Sequence, residues 1–303
     1  MGDLKIKIGD MQLKNPVMVA SGTFGYGEEY AQLVDLNKLG AIVTKSITLK
    51  PRAGNNQPRL WETASGLLNS IGLQNVGLKT FIEEKLPYLQ KYDTGIIVSI
   101  AGETVDEYEK LAQALKKEKF DALEINISCP NVRTAKRMLF AQDPELARQV
   151  IRKVRRYYKK TVIVKLTPNV TDIGLIAKAC EKAGADAIAV VNTFNGMAVD
   201  LKKGVPVFKN IVAGLCGPAI KPLALYKVYE TSQAVRIPVI GMGGIMNFHD
   251  GLEYILCGAS AIAVGAGNFI DPQIPVKIIK DMELYLRENH LGKISRLVGS
   301  LKC

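Results

Sequence analysis

Gly184-Ala185-Asp186-Ala187-Ile188-Ala189-Val190-Val191 is answered further along the chain by Gly258-Ala259-Ser260-Ala261-Ile262-Ala263-Val264-Gly265, and Gly40-Ala41-Ile42-Val43 is a shorter echo. Each copy is a glycine that stops a helix and leads straight into a strand. The strands are unalternating apolar runs, the pattern of a strand covered on both faces. Working outward, runs of this kind fall at 15–20, 41–44, 95–100, 122–127, 162–166, 187–191, 239–241 and 261–264. Helical patterns separate them, so the chain alternates strand and helix. Eight such units predict an α/β fold, a (β/α)8 TIM barrel. An open, doubly wound sheet is the competing architecture, but it gives no reason for chemistry-bearing residues after nearly every strand.

Local signals agree with the alternation. Leu4–Ile8 and Met11–Lys14 alternate around Gly9-Asp10, which reads as a short hairpin ahead of the barrel. Thr104-Val105-Asp106-Glu107 is a capping box followed at helical spacing by Tyr108, Leu111, Ala112 and Leu115. Asp143-Pro144 supplies an N-cap with proline at the first helical position. Thr171 is the expected cap of a helix whose apolar face runs Ile173, Ile176, Ala177, Cys180 and Ala183. The expected organisation is one domain over residues 1–303, with loop insertions at the C-terminal face of the barrel.

Composition excludes several classes. No apolar run approaches the ~20 residues of a membrane helix, and the charged start, Met1-Gly2-Asp3-Leu4-Lys5-Ile6-Lys7, does not read as a signal peptide. The five cysteines (Cys129, Cys180, Cys216, Cys257 and Cys303) are scattered, with no CxxC pair. No disulfide framework, metal centre or iron–sulfur ligand set is expected, and the reading is cytoplasmic. Much of the net charge of +11 lies in residues 148–160, where Arg152, Lys153, Arg155, Arg156, Lys159 and Lys160 interleave with Val154, Tyr157 and Tyr158. With no recognition motif beside it, this reads as the solvated face of an outer helix and not as a nucleic-acid patch.

The strand ends carry the chemistry. In order they are Ala20-Ser21-Gly22, Lys45-Ser46, Ala101-Gly102, Asn126-Ile127-Ser128-Cys129-Pro130-Asn131, Lys165-Leu166-Thr167, Asn192-Thr193, Gly241-Met242-Gly243-Gly244 and Gly265-Ala266-Gly267-Asn268. A barrel gathers all of these on one face, where active sites of this fold lie. Glycines after the last two strands suit a phosphate, which sugar phosphates and FMN both supply. Lys165 at a strand end fits either charge stabilisation beside a reduced flavin or a Schiff base. Asn69, Asn126 and Asn192 suit a ligand with alternating amide donors and acceptors, such as a flavin, a uracil or an orotate. Cys129 sits just where Pro130 ends its strand, as a proton-transfer group, a nucleophile or a small buried hydrophobe.

The run Asn15-Pro16-Val17-Met18-Val19-Ala20-Ser21-Gly22-Thr23-Phe24-Gly25 resembles the opening of the class 1 dihydroorotate dehydrogenases. Thr44-Lys45-Ser46, Asn69-Ser70-Ile71-Gly72-Leu73-Gln74-Asn75 and the stretches 126–131, 164–166, 214–222, 241–245 and 268–272 continue the likeness over nearly the whole chain. It is nearest to the catalytic subunit of the NAD-linked, heterotetrameric form, class 1B. The resemblance implies FMN over the barrel mouth, its phosphate on Gly217, Gly243, Gly244, Gly265 and Ala266. Its ring and ribityl chain would be held by Ala20, Ser21, Lys45, Ser46, Asn126, Lys165 and Asn192. Dihydroorotate would be held by Lys45, Asn69, Ile71, Gly72, Leu73, Asn126, Asn131, Asn192 and Thr193. Cys129 would act as the base and Lys165 as the second catalytic residue, with no metal. The implied partners are a second copy of this chain and a subunit carrying FAD and a 2Fe–2S cluster.

The sequence departs from that family's pattern in three places. Residues 132–142 contain no glycine where a flexible, glycine-bearing segment is usual, Ala266 replaces a threonine, and Cys216 replaces a serine. Two rival functions use the same scaffold. A fumarate-reducing homodimer would need no partner subunit. A flavin-dependent tRNA dihydrouridine synthase would use the positive charge, but normally adds a helical RNA-binding domain for which the residues after Phe269 are too few. A barrel without catalysis is the third reading, and it rests on the missing glycines alone.

Overall fold

A computed structural model of the chain describes residues 2–128 and 140–302. Eight parallel strands close into a barrel: β1 (Val17–Val19), β2 (Ala41–Val43), β3 (Gly95–Ile100), β4 (Ala122–Asn126), β5 (Thr161–Lys165), β6 (Ala187–Val190), β7 (Val239–Met242) and β8 (Ala259–Val264). Each pairs with its neighbours in sequence, and β8 returns to β1 through Ile262 opposite Val17. All eight expected strands are present, with ends that move by a residue or two.

Strand side chains alternate between two buried layers, which is why the runs show no polar period. One set, including Val17, Ile42, Val98, Leu123, Val164 and Ile188, faces the surrounding helices. The other, including Met18, Ala41, Ile97, Ala122, Ile163, Ala187, Ala189, Ile240, Ala261 and Ala263, fills the barrel interior. The many alanines leave room at the axis. Part of that room is taken from below by the N-terminal hairpin, Ile6–Ile8 with Met11–Leu13, whose Ile8, Met11 and Leu13 join the interior cluster. The predicted hairpin is therefore a stopper for the closed end of the barrel.

The helices follow the predicted signals with two corrections. Val105–Leu115 is capped by the Thr104 hydroxyl, which accepts from the Glu107 N–H, and its buried face is Tyr108, Leu111, Ala112 and Leu115. In the return bond of the box the Glu107 carboxylate accepts from the Glu103 N–H, one residue before the cap. Pro144–Tyr157 starts at Asp143 as expected. Ile173–Lys182 is capped by Asp172, not Thr171, because the Asp172 carboxylate accepts from the Leu175 N–H; its stripe of Ile173, Ile176, Ala177, Cys180 and Ala183 is buried as read. The other correction lies after β1, where the described residues form only a 3-10 turn, Leu36–Lys38, in place of a helix.

The basic helix face is solvated and partly neutralised, as the sequence suggests. Lys153 pairs with Glu109 at 2.6 Å, Arg155 pairs with Asp186, and Arg152 and Arg156 are exposed. Tyr158 turns inward and stacks on Phe120, so it is a core residue and not part of a surface patch.

Above the mouth stands a sheet that the sequence did not reveal. Leu60–Thr63, Gly66–Asn69, Phe194–Gly196 and Ala213–Cys216 form four antiparallel strands drawn from two distant loops. It is the predicted loop insertion given a definite shape, and it walls one side of the mouth.

Candidate active site

The C-terminal ends of the strands open into a cleft lined by Ala20, Ser21, Lys45, Ser46, Asn126, Lys165, Asn192, Thr193, Gly243, Gly244, Gly265 and Ala266. The inserted sheet and the turn beside it add Asn69, Ile71, Gly72, Leu73 and Gly217. Every predicted site residue within the described segments thus lies on this one cleft. Cys129 and Asn131 fall outside the described residues, as do 132–139 of the glycine-free segment.

Each side chain has a local reason for its place. Lys165 is the last residue of β5 and is only 5% exposed. Its ammonium donates to the Ser21 hydroxyl at 3.3 Å, and no carboxylate comes within ion-pair distance among the described residues. Asn126 and Ser46, ending β4 and following β2, are bonded to each other at 3.0 Å. Asn192 donates to the Ser128 hydroxyl at 2.9 Å, and its carbonyl accepts from the Thr193 N–H at 2.8 Å. Asn69 sits opposite Gly214 in the inserted sheet and donates to its carbonyl at 2.9 Å. Gly72 and Leu73 both have positive φ, +75° and +54°, which turns the backbone of Ile71–Leu73 against the cleft. For a leucine that conformation is uncommon and strained, as functional turns often are.

The glycine turns at the other end differ in why they are glycine. Gly243 (φ +133°) and Gly244 (φ +69°) need the freedom of the backbone, and an added Cβ would lie 2.6 Å from Ala224 and 2.8 Å from Lys221. The Tyr254 hydroxyl donates to the Gly243 carbonyl at 2.6 Å and holds this turn; burial pushes its ionisation far above the usual tyrosine range, so it stays a donor. Gly265 has an ordinary φ, and a Cβ there would meet only Ala20, at 3.9 Å. Neither strain nor packing demands glycine at 265, so the space it leaves belongs to the cleft. The nearby lysine, Lys221, is engaged by Asp250 at 2.6 Å and Glu253 at 3.0 Å.

Cys216, which stands where the resembled family has a serine, lies on the cleft wall. Burial pushes its thiol up, with an opposing contribution from the Asn69 amide, which favours the protonated form. Cys180 is pushed to about 12 by burial in the helix core. The sequence reading missed the apolar rim, Leu60, Leu67, Val212 and Phe269. Leu60, Val212 and Phe269 are exposed and Leu67 half-buried, and scattered apolar residues of this kind mean little until a fold places them together. Among the described residues no cluster suits a metal ion, and no helix is long and apolar enough to cross a membrane.

Fold and mouth together define a class: a (β/α)8 barrel enzyme whose active face offers a buried lysine, side-chain amides and glycine turns after the last two strands. The chain belongs to the dihydroorotate dehydrogenase family, whose model matches residues 3–286. It is 51% identical over 300 residues to a protein of Thermoanaerobacter sp. (strain X514), covering 99% of both chains. It is 50% identical over 301 residues to one of Geotalea daltonii, covering 99% of this chain and 98% of the relative. A protein of Pelobacter propionicus is 51% identical over 302 residues, with 99% of each covered. All three bear the name dihydroorotate dehydrogenase B (NAD(+)), catalytic subunit.

Proposed function

We propose that this chain oxidises (S)-dihydroorotate to orotate in pyrimidine biosynthesis, in the cytoplasm, using FMN bound over the barrel mouth. The observation that carries the reading is Lys165, a buried cation without a carboxylate partner among the described residues, on the same cleft as the glycine turns. A buried charge without a partner is costly, so the site calls for an anion from outside the chain. The residues fit FMN. Gly265 leaves open a space that a Cβ would fill, Gly243 and Gly244 allow close backbone approach for a phosphate, and the amides and hydroxyls suit a flavin's alternating donors and acceptors.

Bound FMN would supply the hydride acceptor. Gly217, Gly243, Gly244, Gly265 and Ala266 would hold its phosphate, and Ala266 offers its backbone N–H without a side-chain hydroxyl. Ser21, Lys45, Ser46 and Lys165 would orient the ring, with the ammonium of Lys165 favouring negative charge on it. Asn69, Asn192, Thr193 and the backbone of Ile71–Leu73 would fix the pyrimidine, joined by Asn131. Cys129 would take the C5 proton of dihydroorotate as hydride leaves C6, and its thiolate is the active form. The apolar rim and the buried walls would exclude water from that proton transfer.

The electrons would leave through a partner subunit carrying FAD and a 2Fe–2S cluster, with NAD as the final acceptor, on a homodimer of this chain. The relatives' names contain both NAD(+) and "catalytic subunit". This sequence has no G-x-G-x-x-G opening a helix after a strand, the usual dinucleotide signature. Leu60, Val212 and Phe269 are 46%, 41% and 50% exposed on the rim of the cleft, where a docked subunit would cover them. The test is orotate formation by the purified, FMN-loaded chain with an artificial dye as acceptor. Turnover of dihydroorotate is the expected result, and loading with FMN but no turnover would overturn the assignment.

A further inference from the structure

Glu124 has no part in the chemistry just described, yet it is a carboxylic acid only 2% exposed, inside the barrel on β4. It anchors a continuous chain of hydrogen bonds that ends at the mouth. The Ser99 hydroxyl meets Glu124 Oε1 at 2.7 Å and the Ser46 hydroxyl at 2.8 Å. Ser46 accepts from Asn126 Nδ2 at 3.0 Å. Asn126 Oδ1 accepts from the Ser128 hydroxyl at 2.9 Å, and Ser128 accepts from Asn192 Nδ2 at 2.9 Å. Glu124, Ser99 and Ser128 are buried behind the wall, whereas Ser46, Asn126 and Asn192 line the cleft.

The direction of this chain can be read from groups that have no choice. The Ser128 N–H can only donate, and it meets Asn126 Oδ1 at 3.3 Å, which turns Asn126 Nδ2 toward Ser46. The Thr193 N–H fixes Asn192 in the same way, with its oxygen toward Thr193 and its nitrogen toward Ser128. Ser46, having accepted from Asn126, has its own proton left for Ser99, and Ser99 has one for Glu124. Every bond therefore runs from Asn192 toward Glu124. A carboxylate offers acceptors only and is the natural end of such a chain. A neutral amide at the same place would accept with one atom and donate with the other, and so would permit both directions.

We propose that Glu124 is a positioning residue of this active site: it is the fixed acceptor that draws the Ser99 and Ser46 hydroxyl protons inward, so that Ser46 keeps its oxygen toward Asn126 and the Asn126 orientation set by the Ser128 N–H at one end is secured at the other. Asn126 Nδ2 thereby retains a second N–H for an acceptor atom of a ligand. The ligands that read this orientation are those of the proposed function, FMN and the pyrimidine, and the inference rests on that reading.

A double-mutant cycle on the full chain tests it. Glu124→Gln removes the one-way acceptor, and Ser99→Ala cuts the same chain one link nearer the mouth while leaving the Glu124 charge in place. Two affinities are measured, FMN by quenching of flavin fluorescence and orotate by perturbation of the bound flavin's visible bands. Each single variant is expected to bind both roughly tenfold more weakly, the scale of one hydrogen bond, with a similar shift of the visible bands. The double variant is expected to be no weaker than either single, since the residues act as one unit. Losses that add, or a loss in Glu124→Gln with Ser99→Ala unchanged, would show that Glu124 acts through its charge and would overturn the proposal. Unchanged affinities in Ser99→Ala overturn it even if Glu124→Gln does not fold. A wild-type chain that takes up FMN but ignores orotate would sink the dihydroorotate reading alone, because the FMN arm still compares the variants.

Discussion

At the residue scale, Lys165 was the most legible part of the site. A lysine closing an otherwise apolar strand has few structural reasons to be there, and its burial without a carboxylate partner among the described residues fits a role toward a ligand. If its charge favours the reduced, anionic flavin, Lys165→Ala retains FMN but has a lower midpoint potential. A redox titration checks this, and an unchanged midpoint would make the lysine structural. Gly265→Val separates ligand space from protein space. A side chain there meets little of the protein, so the variant should melt near the wild-type temperature yet bind FMN at least ~100-fold more weakly, since a well-placed close contact is lost wholesale. Cys129→Ala should keep FMN and lose at least ~100-fold in the rate of flavin reduction, the scale of a missing general base. The bonds from Glu124 to Asn192 were not legible, because they depend on inter-strand register and on which way each hydroxyl turns.

At the element scale, strands and helices were legible where a local pattern decides them. Buried parallel strands are plain apolar runs, and the face Tyr108, Leu111, Ala112 and Leu115 is set by helical period alone. Adjacent candidate caps are harder: Thr171 and Asp172 both qualify, and the aspartate wins with its bond to the Leu175 N–H. The inserted sheet was hidden because its partners are far apart, Leu68 pairing with Leu215, and its strands are three or four residues long. The hairpin was visible but its purpose was not, since nothing local says that Ile8 enters the barrel. That packing makes a prediction. Ile8→Ala, at a fully buried position among interior side chains, should cost about 2–5 kcal/mol, as large-to-small core changes do. Denaturant unfolding measures it, and a cost below about 1 kcal/mol would mean that the hairpin does not plug the barrel.

At the scale of the whole molecule, the barrel brings eight strand ends together, and this is why residues far apart in the chain, such as Ser21 and Lys165 at 144 positions, share one cleft. The family could be recognised from those ends because each carries a short, chemically constrained motif. The electron path beyond the flavin has no such record in this chain. With no dinucleotide signature, the chain alone should turn over dihydroorotate with a dye and leave NAD unreduced; efficient NADH formation would remove the need for the proposed FAD and 2Fe–2S partner, and efficient fumarate reduction would favour the homodimeric alternative.

The central claim is that this cleft binds FMN and passes it electrons from dihydroorotate. The most direct measurement is the visible spectrum of the purified chain, loaded with FMN and then mixed with dihydroorotate in the absence of oxygen. The account predicts a bound-flavin spectrum that bleaches on mixing, with orotate formed in equal amount. A chain that cannot hold FMN, or a bound flavin that keeps its colour with dihydroorotate, would contradict it.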